Sequence, residues 1–185
     1  MTSYEGKILI AHPGMPKDNP FHKSVVYIYQ DTPNGTIGVI LNKVSRYTVQ
    51  DICADKKIVF LDNNAHVYHG GPVNPNALVL LHSSEWHSAN TISAGHGMHV
   101  SSDNEMLIKI AKGHPPKSWR LFGGMSMWQP GQLAAEMAGS WPYRIENSWC
   151  VAEVPSDFIL DLHHGKQWQL AMDISSHQLF DKYFE

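Results

Sequence analysis

Residues 25–29, Val-Val-Tyr-Ile-Tyr, are five consecutive apolar side chains. They sit in a stretch, Ser24 to Gln30, too short to be a helix of ordinary length. Side chains on a strand alternate between faces, so an uninterrupted apolar run predicts a strand covered on both sides, in the interior of a sheet rather than at its edge. Thr36 to Asn42 (TIGVILN) has the same character, and Asp31-Thr32-Pro33-Asn34-Gly35 lies between the two. The pair reads as a hairpin, with Asn34-Gly35 expected to take positive φ at the turn. Any fold for this chain therefore needs cover for both faces of a central sheet.

Further strands are expected at Lys7 to Ala11, His66 to His69, Ala77 to His82, Trp119 to Gly123 and Trp149 to Val154, each bounded by Gly, Pro, Asn or Ser. Helices come later. Ser102-Asp103-Asn104-Glu105 has the form of a capping box before Met106, Leu107 and Ile110, and Gly113 closes the segment, predicting a helix over Ser102 to Lys112. Pro130 suits the first position of a helix at Gln132 to Ala138, and a last helix at Lys166 to Ile174 puts Trp168 and Met172 on one face. Strands grouped early and helices inserted later predict α+β organisation. No internal repeat or linker-like tract divides the 185 residues, so residues 1–185 are expected to form a single domain.

Charge narrows the classes of function. Lys plus Arg number 14 against 17 Asp plus Glu, for a formal charge of -3, and the longest basic run is Lys56-Lys57. Direct nucleic-acid binding is not expected, because neither a basic patch nor a helix-turn-helix with a basic second helix is visible. The apolar stretch at residues 8–11 is too short for a signal-peptide core or a membrane span, and Cys53 and Cys150 read as two free thiols. A cytoplasmic protein with no membrane contact is the expectation. Twelve histidines are the one oddity, since protonating them all would carry the formal charge from -3 to +9.

Read in order, several segments resemble the YqgE/AlgH family, whose members have no established biochemical activity. They are Ile8-Leu9-Ile10-Ala11-His12-Pro13 with Pro20-Phe21 and Lys23 to Tyr27; Gly38-Val39-Ile40-Leu41-Asn42-Lys43; Tyr68-His69-Gly70-Gly71-Pro72-Val73; Leu81-His82-Ser83; and Trp128-Gln129-Pro130-Gly131-Gln132-Leu133. The chain departs from the family where Gly124-Met125-Ser126-Met127-Trp128 stands for a usual Gly-Tyr-Ala-Gly-Trp, and where His69 replaces a common hydrophobic residue, as in a divergent branch. The resemblance implies a mixed, partly barrel-like sheet flanked by helices. It implies no reaction.

Four kinds of chemistry were weighed on the residues. His66 and His69 lie three apart on a strand and so face opposite ways, and His96 with His99 lacks a Cys or carboxylate partner set, so no metal site is expected. Gly124-Met125-Ser126-Met127-Trp128 has the strand-to-helix setting of a nucleophile elbow but Trp where its second Gly belongs, and Cys53 sits at a helix end rather than a helix start. Neither phosphate-loop pattern is present, which leaves the amides at Gln129 to Gln132 as an anion-binding option, and no cofactor is expected. Core packing is the expectation for Trp128 and Trp141, flanking the helix at 132–138, with exposure of one of them as a partner surface the alternative.

Strand ends and helix starts gather at sheet edges, so Asn42, Gly70, Gly71, His82 and Gln132 are expected to border one shallow pocket for a small anionic or polar ligand. The alternative for the same residues is that they hold turns. The reading favoured is a non-catalytic intracellular binding or regulatory protein, acting through a small ligand or a protein partner; the alternative is a small hydrolase or metal-dependent enzyme.

Overall fold

Val25 to Tyr29 lie in a strand whose two faces feed two separate cores, and this division organises the fold. The computed structural model describes residues 3–59, 65–144 and 148–184. Its strands are β1 (Ile8–Ala11), β2 (Val25–Thr32), β3 (Gly35–Ile40), β4 (Val44–Thr48), β5 (His66–His69), β6 (Val73–Ser83), β7 (Ile92–Ser93), β8 (Met98–Ser101), β9 (Trp119–Trp128) and β10 (Trp149–Ala152). The helices are α1 (Val49–Asp55), α2 (Asn104–Ala111), α3 (Gln132–Met137), α4 (Ser156–Leu160) and α5 (His164–Phe184). Eight strands run in the order β10-β1-β2-β3-β9-β6-β8-β7, curled into a half-barrel. β4 and β5 attach alongside, β5 running parallel to β9 while the other pairs are antiparallel, so the sheet is mixed and the class is α+β.

Alternation along the strands sorts the side chains. Ile8 and Ile10 of β1, Val25, Tyr27 and Tyr29 of β2, Val79 and Leu81 of β6 and Phe122 of β9 point to one face, where Phe158, Ile159 and Leu160 of α4 and Ala171 of α5 cover them. Leu9, Ala11, Val26, Ile28 and Ile40 point to the other face and meet Leu133 of α3 with Trp128 and Trp149. Farther along that face, Val67, Leu80 and Leu121 pack on Val49 and Cys53 of α1 and on Met106, Leu107 and Ile110 of α2. Burying one large aliphatic side chain contributes about 2 kcal/mol, so a strand used on both faces gains nearly twice per residue what an edge strand does.

Local expectations are adjusted in identifiable ways. The turn of the β2–β3 hairpin is Pro33-Asn34, with Thr32 opposite Gly35, and only Gly35 takes positive φ, at +131°. The cap of α2 is Asp103 rather than Ser102: the Asp103 carboxylate accepts from the Met106 amide, while the Ser102 hydroxyl is drawn away to the Leu78 carbonyl. Pro130 lies outside α3, whose N-cap is Gly131 at φ +78°. α5 runs to Phe184, well beyond Ile174, since past Trp168, Ala171 and Met172 it is tied further to β10 and the residue after it, the Ser175 hydroxyl donating to the Val151 carbonyl and Gln178 bonding the backbone of Glu153. Both cysteines are free, Cys53 buried and Cys150 half-buried.

β9 is also longer than its sequence signals, and Gly124-to-Trp128 is strand, not a strand-to-helix turn. Its first half pairs with β5 through Leu121–Gly123 and its second half with β3 through Ser126–Trp128. The exchange occurs at Gly124, at φ +75°, opposite a bulge in β6 where the register jumps between Val73 and Leu78. Gly70 is wedged into this exchange: its amide donates to the Gly123 carbonyl, and its carbonyl accepts from the Ile40 amide and the Ser126 hydroxyl. A Cβ at Gly70 would lie 2.1 Å from the Gly124 carbonyl oxygen, which is backbone and cannot move aside. Gly70→Ala is therefore expected to cost about 3 kcal/mol, at the upper end of overpacking penalties, read as a lowered urea midpoint with far-UV dichroism retained.

Candidate functional site

The five residues expected to border one pocket are distributed over the sheet. His82 is paired with Trp119 at the start of β9, whereas Gln132 follows the far end of that ten-residue strand, a separation of roughly 30 Å along it. Asn42 clamps the start of β2, its Oδ1 accepting from the Val25 amide at 2.9 Å and its Nδ2 donating to the Lys23 carbonyl at 2.8 Å. Gly70 and Gly71 press on the backbone of β9. Gln132 accepts from the Gln129 amide and donates to Glu136, whose other oxygen accepts from the indoles of Trp128 and Trp149 at 3.1 and 2.8 Å. With Phe21 stacked on Trp128, the 128–133 motif builds a buried aromatic cluster at the base of α3, and its side-chain bonds are spent on the protein itself. These polar residues are turn- and strand-holders, and the five do not line a common cavity.

His82 is fully buried. Its Nδ1 donates to the Ser83 carbonyl at 3.0 Å, so Nε2 accepts from the Ser101 hydroxyl at 2.9 Å, and Ser101 in turn accepts from Thr91 at 2.7 Å. A serine oxygen bonded to an imidazole has the form of a nucleophile and its base. Here both residues have no exposed surface, and the Trp86 ring lies edge-on at 4.9 Å from His82. Ser126 is likewise fully buried, its hydroxyl spent on Gly70. Burial pushes the thiols of Cys53 and Cys150 up, away from the reactive thiolate.

Among the described residues no group of three or more His, Cys, Asp and Glu is arranged to hold a metal ion. His66 and His69 are both exposed on β5, and His96 sits against Gly6 while His99 faces His82 and His87. Of the two tryptophans flanking α3, Trp128 is buried and Trp141 is 94% exposed.

One cleft draws on several elements at once. Its volume is about 330 Å³, and it is lined by Ala65, His66 and Tyr68 at β5, Trp119 and Arg120 at the start of β9, Leu160, Asp161 and Leu162 leaving α4, and His163 and His164 opening α5. Arg120 is the floor. It is 6% exposed, and its Nε donates to the Leu160 carbonyl, Nη1 to the Leu41 carbonyl and to Oε1 of Gln167, and Nη2 to the Leu162 carbonyl. The guanidinium lies 4.9 Å over the Tyr68 ring. Gln167 completes the arrangement by donating to the Phe158 and Ile159 carbonyls, so the orphan carbonyls of α4 are met by these two side chains. Four of the five N–H groups of Arg120 are thus engaged, and the second N–H of Nη2 has no acceptor among the described residues.

Around this floor stand three imidazoles. The His163 and His164 rings are stacked with centroids 4.1 Å apart, and His164 meets Tyr68 edge-on at 6.1 Å. Partial burial, then the neighbouring His163, Arg120 and His66, hold His164 below the usual histidine range. Asp161 is the one carboxylate lining the cleft among the described residues. The arrangement offers hydrogen-bond donors and the charge of Arg120, with no serine, threonine or cysteine in its lining among the described residues. Sequence reasoning overlooked it, although an arginine inside the apolar run Trp119-Arg120-Leu121-Phe122 was a usable signal.

Arg120→Met would strip donors from three buried carbonyls and from Gln167; a loss of about 3 kcal/mol in unfolding free energy is expected from denaturant titration. Acid should also destabilise the fold. Burial, the largest influence on His82, holds it below its ordinary value, and His164 is lowered as well, so the unfolded chain binds more protons at these positions. Stability is full above the unfolded histidine value of about 6.5 and falls as pH drops through it towards the folded values. The urea midpoint should decline between pH 7.5 and 5.5, and His82→Gln should flatten that decline.

With the geometry in view, the chain can be set beside known proteins. It is 28% identical over 171 residues to a UPF0301 protein of Stenotrophomonas maltophilia strain K279a, covering 91% of this chain and 87% of that one, and 28% identical over 177 residues to one of Shewanella baltica strain OS195, covering 92% and 90%. The fold is similar to the solution structure of the AlgH protein from Pseudomonas aeruginosa, with TM-score 0.76, 24% identity and coverage of 94% and 91%. A crystal structure of protein DIP2367 from Corynebacterium diphtheriae aligns with TM-score 0.65, 23% identity and coverage of 85% and 79%. The family model described as AlgH-like (DUF179) matches residues 8–179, nearly the whole chain, and the protein belongs to that family.

Proposed function

We propose that this is a non-catalytic binding protein of the cytoplasm whose site is the cleft over Arg120, taking a small polar or anionic ligand. The observation that carries the reading is the gathering of donors. Among the described residues, this cleft sets a buried guanidinium, whose second Nη2 N–H meets no acceptor, and three imidazoles beside one carboxylate, Asp161. A volume near 330 Å³ suits a small molecule, at the lower end of ligand sites. Among the described residues the lining has no serine, threonine or cysteine to serve as a nucleophile, which favours binding over turnover. No helix among the described residues is long and apolar enough to cross a membrane. Exposed Trp141 is what favours a protein partner as the mode of action, on a surface separate from the cleft lining.

Amide correlation spectra recorded with anionic, neutral and cationic small-molecule fragments test the reading. Shifts at residues 65–68, 119–121 and 160–164 are expected with at least one fragment. Shifts confined elsewhere, or none with any fragment, would overturn it. Covalent capture of Ser101 by a fluorophosphonate in the native protein would favour the alternative, a small hydrolase acting through Ser101 and His82.

A further inference from the structure

We propose that the ligand is an oxyanion, a phosphate or carboxylate, carried on a flat ring and held by Arg120 and the imidazoles of His66, His163 and His164, and that protonation of His164 couples its binding to pH; this rests on the cleft being the binding site. The cleft is several times larger than one oxyanion, so an anionic group bonded near Arg120 leaves room for a further body. The walls are aromatic: Tyr68, Trp119 and the stacked pair His163 and His164 offer ring faces and edges for a planar group. Arg120 is already committed to four bonds within the protein and brings one N–H and its charge, so the remaining donors must come from the imidazoles.

Among the described residues the charged and titratable groups facing this space are His66 and Tyr68 from β5, Arg120 from β9, Asp161 beyond α4, and His163 and His164 at the start of α5. Partial burial, and then the neighbouring His163, Arg120 and His66, disfavour the charged form of His164. An oxyanion reverses the sign of the local potential and favours protonation, so binding takes up protons and weakens as pH rises through the histidine range. Arg120 supplies charge at every pH, which sets a residual affinity under alkaline conditions.

Calorimetry with benzoate, phenyl phosphate and benzyl alcohol, at pH 5.5 and 8.0, tests this. Benzoate is the arm for pH dependence, since a carboxylate is ionised above about pH 5, whereas a phosphate monoester loses part of its charge near its second pKa of about 6. Benzoate should bind about tenfold more tightly at pH 5.5 than at pH 8.0, with proton uptake seen as a buffer-dependent enthalpy, and benzyl alcohol at least about tenfold more weakly than benzoate at pH 5.5. His164→Gln should flatten the pH dependence and His66→Gln should weaken benzoate binding by removing a donor, with unfolding midpoints at pH 8.0 unchanged; His177→Gln, exposed on α5 outside the cleft, should leave both intact. Tight binding of benzoate alone assigns a carboxylate, and of phenyl phosphate alone at pH 8.0 a phosphate. Equal affinity for benzyl alcohol and benzoate, or an affinity for both anions that ignores pH and both histidine variants, would overturn the oxyanion proposal while leaving the cleft a binding site. Absence of binding by all three, together with no cleft shifts from any fragment, would instead remove the cleft itself.

Discussion

A buried guanidinium with no ion-pair partner among the described residues is the constraint around which the structure is arranged. Arg120 leaves water and recovers hydrogen bonds from carbonyls on three separate pieces of chain: the end of β3, the end of α4 and the turn into α5. A charge in such a place is tolerable only if its donors are met, because the desolvation cost of an unpaired buried ion runs to several kcal/mol. The carbonyls have the same need, since a helix end leaves acceptors unsatisfied. Arg120 and Gln167 thus answer the deficit of α4, and in doing so fix α4 and α5 to the sheet. The cleft is the space left between that fixed turn and β5.

The sheet makes this possible by being used on both faces. β2 sends alternate residues into different cores, so α4 and α5 on one side and α1, α2 and α3 on the other are held to the same strands. Curling requires β9 to change neighbours midway, from β5 to β3, and the change is made where Gly70 and Gly124 let backbones approach more closely than any side chain permits. The aromatic cluster of Phe21, Trp128 and Trp149, tied through Glu136, closes the other end of the same strand. Several of the segments that carry the family resemblance are thus accounted for by packing: the 128–133 block builds this cluster, and the Tyr68–Val73 block builds the exchange.

That separation bears on function. The Ser101–His82 pair has reactive form without access, while the Arg120 cleft has access without a nucleophile. The buried Thr91–Ser101–His82 line is internal hydrogen bonding, and the cleft is the recess to which the proposed binding role is assigned. The recess is also where Arg120 and three imidazoles gather, the donors on which the proposed binding rests.

The sequence by itself determined the α+β class, the interior position of β2, the hairpin, the locations of three helices and the family. Periodicity and turn residues are local, and local patterns survive without knowledge of what lies opposite. Limits of elements were less legible: β9 continues to Trp128 because β3 is there to pair with it, and Asp103 takes the cap because the Ser102 hydroxyl finds the Leu78 carbonyl, partners 24 or more residues away. The site was least legible. Asn42, Gly70, His82 and Gln132 stand out in sequence because turns and close approaches demand particular residues, yet each is spent on its own surroundings. Only the tertiary structure decided that Arg120 would be buried beside His66, His163 and His164, because the cleft joins residues from three regions of the chain, and spacing within one segment carries no record of what packs across from it.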